Sequence, residues 1–95
     1  RSSNYEACIV TAENALRDYP YASAQWREQF SILILRSKYF LARQSIEEKR
    51  LDRYRETVDE YYAFLNDFPE SKFLKEAQGY FTKSQRALKG QPEED

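Results

Sequence analysis

The side chains that most often carry catalysis are nearly missing from this sequence. There is no His, which removes the usual general base and the commonest metal ligand. Cys8 stands among the apolar positions of a helical pattern with no basic partner in view, so it is interpreted as a small buried hydrophobe. Gly79 and Gly90 form no phosphate-binding loop. We therefore predict a protein that is not an enzyme and has no metal site and no cofactor.

The charged residues are interleaved along the chain. Sixteen acidic and 15 basic residues give a net charge of −1, which lacks the basic surplus of a nucleic-acid-binding protein. Carboxylates scattered among Lys and Arg are typical of solvated helix surfaces and do not indicate acid–base chemistry. Apolar runs such as residues 32–35 are far too short to span a bilayer.

Apolar residues recur at spacings of three and four, which predicts four helices. Their expected bounds are 4–18, 23–42, 45–68 and 71–88. The second helix is apolar on most sides and is therefore expected at the centre of the fold. Ser45 and Glu48 fit a capping box that would open the third helix. The predicted inward stripe of the third helix is Leu51, Tyr54, Val58, Tyr61, Leu65 and Phe68.

An internal repeat is the most informative pattern in the chain. Residues 16–20, Leu-Arg-Asp-Tyr-Pro, recur as residues 65–69, Leu-Asn-Asp-Phe-Pro, at an offset of 49. In each copy the aromatic should pack back on the hairpin, the Asp should accept from nearby backbone N–H groups, and the Pro should end the helix. The predicted repeat-turn residues are Asp18, Tyr19, Pro20, Asp67, Phe68 and Pro69.

Two matching breaks predict two similar helix–turn–helix units. The predicted fold is all-α, with TPR-like antiparallel helical hairpins stacked as a short solenoid. The expected domain covers residues 1–89, with hairpins at 4–42 and 45–88 and a disordered acidic tail at 90–95. Since two stacked units make a marginal core, further repeats are expected ahead of Arg1.

The breaks and the charged helix between them resemble one known family. Residues 18–23, Asp-Tyr-Pro-Tyr-Ala-Ser, and residues 67–73, Asp-Phe-Pro-Glu-Ser-Lys-Phe, are similar to the turns of the BamD family of outer-membrane β-barrel assembly lipoproteins. Residues 47–50, 53–57 and 59–64 resemble the last repeats of its longer-helix members. The resemblance covers the chain from Tyr5 to Leu88.

The resemblance implies a role without catalysis or cofactor. Members of this family are TPR solenoids on the periplasmic face of the gram-negative outer membrane, held there by an N-terminal lipidated Cys. They help to insert β-barrel proteins by bridging the POTRA domains of BamA and accessory lipoproteins. This chain lacks the anchor segment, so its only expected link to a membrane is a lipid anchor elsewhere in the parent protein. The chain is expected to be monomeric outside the complex.

Candidate interface residues come from the helical pattern and the resemblance together. With its stripe facing inward, the third helix should point Arg53, Glu56 and Glu60 outward towards a partner. Off the stripes, Tyr21, Tyr62 and Phe64 should cover a neighbouring repeat or touch a partner. Two alternatives remain open: another periplasmic TPR adaptor that coordinates the cell envelope, or a helical oligomerisation module that pairs identical chains.

Overall fold

Four helices make up the fold, as the sequence predicts. The computed structural model describes residues 2–91, with side chains from Asn4 onward. The helices are α1 (Ser2–Asp18), α2 (Ala24–Gln44), α3 (Glu47–Asp67) and α4 (Leu74–Leu88). The described residues contain no strand, and the all-α class of helical hairpins is confirmed. Among these helices, none has the length and apolar character needed to cross a membrane.

Helix α2 is the centre of the bundle. Its backbone packs against α1, α3 and α4, whereas α1 packs against α2 alone. Helices α3 and α4 also pack on each other, so the second hairpin presses both of its helices onto α2. The predicted central position of the second helix is therefore confirmed.

The core is divided among the three sides of α2. On the side of α3 and α4, Ile32 and Leu35 lie in one cluster with Phe64. On the side of α1, Ile34 and Leu41 pack with buried residues of the first helix. Near its C-terminal end, α2 contributes to a third cluster, whose buried members are Tyr39, Ala42 and Tyr54. No residue of this helix from 31 to 42 is exposed, because α1 covers one side and α3 and α4 together cover the others.

The buried face of α3 differs from the predicted stripe. Tyr54, Thr57, Tyr61 and Phe64 are its buried residues, while Leu51 is exposed. The prediction that Phe64 lies off the core is wrong. Because α3 packs against both α2 and α4, the buried arc is set by two neighbours and is rotated from the most apolar stripe. Thr57 fits this face because its hydroxyl donates to a backbone carbonyl of the preceding turn.

The two repeat turns share one hydrogen-bonding pattern. In each, the aromatic N–H donates to the carbonyl four residues earlier, and the aromatic carbonyl accepts from the N–H three residues later. These N···O distances are 3.0 and 3.1 Å around Tyr19, and 2.8 and 3.1 Å around Phe68. Pro20 and Pro69 occupy the second position of the turn, which suits their fixed φ. The sequence repeat is therefore a structural repeat of the chain reversal.

The role expected for the two Asp residues in these turns is wrong. Asp18 accepts a hydrogen bond from the side chain of Arg17, and Asp67 accepts one from the side chain of Asn66. In the described part of the chain, neither accepts from a backbone N–H. Of the two aromatics, Phe68 packs back as expected, whereas Tyr19 stays 62% exposed. Tyr19 meets the edge of Trp26, and Phe68 packs on the core.

Ser45 ends α2 and does not open α3. Its buried hydroxyl donates to the carbonyl of Leu41 at 2.6 Å and accepts from the guanidinium of Arg53 at 2.7 Å. Ile46 stands at the N-cap of α3 and makes no side-chain cap bond. The predicted capping box of Ser45 with Glu48 is therefore wrong. Only two residues separate the helices, and the Ser45 hydroxyl is already bonded to α2 through the carbonyl of Leu41.

Gly90 closes α4. It has a φ of 77°, and its N–H donates to Ala87 while the N–H of Gln91 reaches back to Arg86. This is the left-handed C-terminal cap that glycine favours. Gly90 and Gln91, which were predicted to start a disordered tail, thus belong to the cap. The rest of the predicted tail, residues 92–95, lies outside the described residues.

A charged network joins α2 to α4. The guanidinium of Arg36 donates to both oxygens of Glu76, at 2.6 and 3.2 Å, and the hydroxyl of Tyr80 also donates to Glu76. The hydrogen bond from Arg36 lowers the pKa of Glu76, against the opposing effect of burial. Burial and the bond to Glu76 raise the pKa of Tyr80 to about 12. The network therefore stabilises the ionised carboxylate and the neutral phenol.

Ser45→Ala should cost about 1–3 kcal/mol of folding free energy, because it leaves a buried carbonyl and a guanidinium short of a partner. Glu48→Ala should cost less than about 1 kcal/mol, since Glu48 contributes only its charge to the helix N-terminus. Urea unfolding of both variants measures the two costs. Equal losses would restore the capping-box interpretation.

The acid stability of the chain should depend on Glu76. Its folded-state pKa is lowered, so its contribution is present above the unfolded-state pKa and is lost as pH falls through the folded-state pKa. Glu76→Gln should therefore reduce stability at neutral pH and flatten the loss of stability in acid. Thermal melts of both proteins across the acid range test this. Parallel pH profiles would contradict it.

Candidate functional site

An open groove separates α1 from α3. Both helices flank α2, but their backbones do not pack against each other. Side chains from the three helices line a cavity of about 340 Å³. We call this the α1–α3 groove. Its lining residues are Glu6, Ile9, Val10, Glu13, Lys38, Leu41, Arg53 and Glu56.

Lys38 lies on the α2 floor of this groove. Its ammonium donates to Glu60 of α3 at 2.9 Å and lies 3.7 Å from Glu13 of α1. Burial favours a lower pKa for Lys38, but the hydrogen bond to Glu60 and the nearby carboxylate charges outweigh it and raise the pKa. Lys38 is therefore a fixed cation that draws one carboxylate from each wall.

Arg53 reaches across the groove from α3. One guanidinium nitrogen donates to the Ser45 hydroxyl, and another donates to Glu6 of α1 at 3.1 Å. Its side chain is only 19% exposed. Arg53 thus ties the α2–α3 connection to α1, where the backbones of α1 and α3 do not meet.

The predicted outward direction of the α3 charges is only partly right. Glu56 is exposed. Arg53 and Glu60 turn towards the neighbouring helices, where their side chains are 19% and 21% exposed, so the prediction for these two is wrong. Both have long side chains that bend to charged partners on α1 and α2. Sequence reasoning missed those partners, because Glu6, Glu13 and Lys38 show nothing by themselves that marks an interhelical contact.

The aromatic candidates lie away from the groove. Tyr62 is 53% exposed and packs edge-on against Tyr61 and Phe81, at ring distances of 5.5 and 5.4 Å. Tyr21 is 99% exposed in the first repeat turn. Both can reach a partner, as the sequence predicts, but only Tyr62 is held by neighbouring rings.

The two repeat turns meet at one end of the bundle. Pro20 of the first turn and Asp67 and Phe68 of the second line a common cavity of about 250 Å³. A hydrogen bond from Ser71 to Glu28 also joins the second turn to the start of α2. The structure therefore places Pro20, Asp67 and Phe68 around one space, while Asp18, Tyr19 and Pro69 do not line it.

The surroundings of Cys8 bear on the role of the only thiol in the sequence. Cys8 is partly buried and accepts a hydrogen bond from Ser37 at 3.4 Å, which supports its interpretation as a packing residue. Among the described residues, no three His, Cys, Asp or Glu side chains are grouped so that they could hold a metal ion. The features of the structure that could contact another molecule are the charged α1–α3 groove and the exposed aromatic rings.

A scan against protein-family models finds no matching family, and a search of curated proteins finds no significant match.

The two ion pairs of the groove should differ in strength. The Lys38–Glu60 pair is shielded, and a double-mutant cycle with Lys38→Met and Glu60→Gln should give a coupling of about 1–3 kcal/mol. The Arg53–Glu6 pair has a half-exposed carboxylate, so Arg53→Met with Glu6→Gln should give less than about 1 kcal/mol. Urea unfolding measures both cycles. A larger coupling for Arg53–Glu6 would contradict this ranking.

Proposed function

We propose that this chain is a protein-binding scaffold, the C-terminal part of a BamD-like lipoprotein that helps to insert β-barrel proteins into the outer membrane. The observation that carries the proposal is the structural repeat. Two hairpins reverse through turns with the same hydrogen bonds, at an offset of 49 residues, and these turns lie together at one end of the bundle. Stacked hairpins of this kind present extended surfaces for other proteins.

The chemistry of the side chains supports binding over catalysis. The chain has no His, and its charged groups pair with one another across the seams between helices. Arg36 pairs with Glu76 and Lys38 with Glu60, so these groups are used to hold the bundle together. Such fixed pairs suit a rigid scaffold better than a site that must move protons.

The proposal places the protein on the periplasmic face of the outer membrane in a gram-negative bacterium. Its proposed partners are the POTRA domains of BamA and the accessory lipoproteins of the assembly machinery. This placement rests on the resemblance of the two turns and of the charged α3 segment between them. The hairpin fold agrees with this placement, because the family is built from helical hairpins.

Tyr62 is the best candidate for the contact. A Tyr side chain that is half exposed and already held by two rings loses little freedom when it is buried by a partner. Tyr21 is freely exposed and would lose more. The proposed contact therefore centres on the α3–α4 edge around Tyr62, where Leu51 of α3 is also exposed.

Calorimetry with the isolated POTRA array of BamA from the same source tests the proposal. We expect saturable binding to the folded chain, weakened about tenfold or more by Tyr62→Ser. The matched variant Tyr21→Ser should weaken binding less than about threefold, because that ring is not preordered. Circular dichroism confirms that both variants remain helical.

Absence of binding by the folded wild-type chain would refute the barrel-assembly proposal and favour another periplasmic TPR adaptor. Sedimentation at several concentrations tests the remaining alternative, a helical oligomerisation module. A scaffold of this kind should sediment as a monomer, whereas a helical oligomerisation module should shift to higher mass as concentration rises.

A further inference from the structure

We propose that the α1–α3 groove binds a basic segment of a partner protein, with cationic side chains meeting its carboxylate rim and aliphatic groups lying on its floor. The inference builds on the proposed role as a protein-binding scaffold and adds a second surface with its own specificity. It concerns residues on the opposite side of α3 from Tyr62, so the two contacts can be tested separately.

The geometry of the groove leaves room for an added segment. Helices α1 and α3 rest on α2 without backbone contact between them, and the lined space measures about 340 Å³. Side chains bridge this gap where Arg53 meets Glu6 and where Lys38 lies beneath Glu13 and Glu60. Between these bridges the α1 wall carries Val10, which is 54% exposed.

The positive charges of the groove lie deeper than the carboxylates of its α1 wall. Its two cations, Lys38 and Arg53, have side chains that are each 19% exposed and already donate to carboxylates or to Ser45. Two of the carboxylates on the α1 wall, Glu6 and Glu13, are 52% and 50% exposed. An arriving segment therefore meets negative charge first, while the positive charge lies below and is already engaged.

Glu56 adds an unpaired carboxylate on the α3 wall. It is exposed and forms no ion pair within the described part of the chain, although its charge acts on Lys38. It stands three residues after Arg53 and four before Glu60, so all three lie on adjoining turns of one helix face. Counting Glu6, Glu13, Glu56 and Glu60 against Lys38 and Arg53, the groove carries four negative and two positive charges.

The floor and the α1 wall supply apolar surface for the stem of a long side chain. Val10 is 54% exposed, and the buried Ile9 and Leu41 lie next to the same space. Lys and Arg cover such surface with their methylene groups while the charged head stays at the polar rim. An acidic segment would instead have to displace carboxylates from Lys38 and Arg53. Electrostatic complementarity therefore selects a basic partner.

Calorimetry with synthetic peptides tests this proposal. The probe is a short peptide of Lys, Leu and Ser residues, and its control replaces every Lys by Glu. We expect the basic peptide to bind the full chain and to bind more weakly as salt is raised, because screening weakens exposed charge pairs. The acidic peptide should not bind. Amide chemical shifts should move in α1, α2 and α3 around the groove.

Matched charge variants locate the binding. Glu13→Gln with Glu56→Gln removes two exposed carboxylates from the groove and should weaken the basic peptide about fivefold or more. Glu47→Gln with Glu48→Gln removes the same charge from the exposed start of α3, outside the groove, and should change affinity less than about twofold. Both double variants keep the Lys38–Glu60 pair, and thermal melts verify that they fold.

Three results would overturn the proposal: no binding of the basic peptide, equal weakening by both double variants, or tighter binding of the acidic peptide. Comparing the two ligands, the basic peptide and the POTRA array, separates this test from the test of the proposed function. If the POTRA array binds the wild-type chain but the basic peptide does not, the scaffold proposal stands and the groove proposal fails. If the peptide binds in the groove but the array does not bind at all, the groove proposal stands and the barrel-assembly proposal fails.

Discussion

The structure depends on the need to bury every side of α2. Ile32 and Leu35 face α3 and α4, Ile34 and Leu41 face α1, and all four are removed from water. One neighbour can cover only one side, so the other three helices must gather around it. The polar side chains that α2 still carries then fall at the seams between its neighbours. That placement explains the charge pairs, since a cation at a seam lies within reach of a carboxylate from the next helix and is stabilised only when that carboxylate is present.

Local features of the fold could be predicted from the sequence. Helix ends follow from Pro20, Pro69 and the flanking residues, because a Pro removes an N–H wherever it stands. The repeat of the turns follows from the repeat of residues, and the aromatic carbonyl indeed accepts the same hydrogen bond in both copies. The central place of α2 follows from its apolar circumference. Each of these features depends on residues close in sequence or on a single helix. The sequence is therefore enough to predict them.

Features that depend on two helices at once were missed. The apolar spacing of α3 gives a stripe, but its rotation against α2 and α4 together decides that Phe64 is buried and Leu51 is exposed. Ser45 can satisfy either of two helix ends, and only the length of the connection decides between them. Arg53 and Glu60 are long enough to bend towards charges whose positions are fixed by other helices. The candidate groove was missed for the same reason, since its walls are 40 or more residues apart in sequence.

The single backbone neighbour of α1 gives the bundle an uneven mechanical character. Helices α2, α3 and α4 brace one another in a closed triangle of contacts, which resists deformation. Helix α1 rests on one side of that triangle, steadied across the gap by Arg53 and Lys38 through flexible side chains. The spacing between α1 and α3 is therefore set indirectly, by how each helix packs on α2 and by the side chains that join them across the gap.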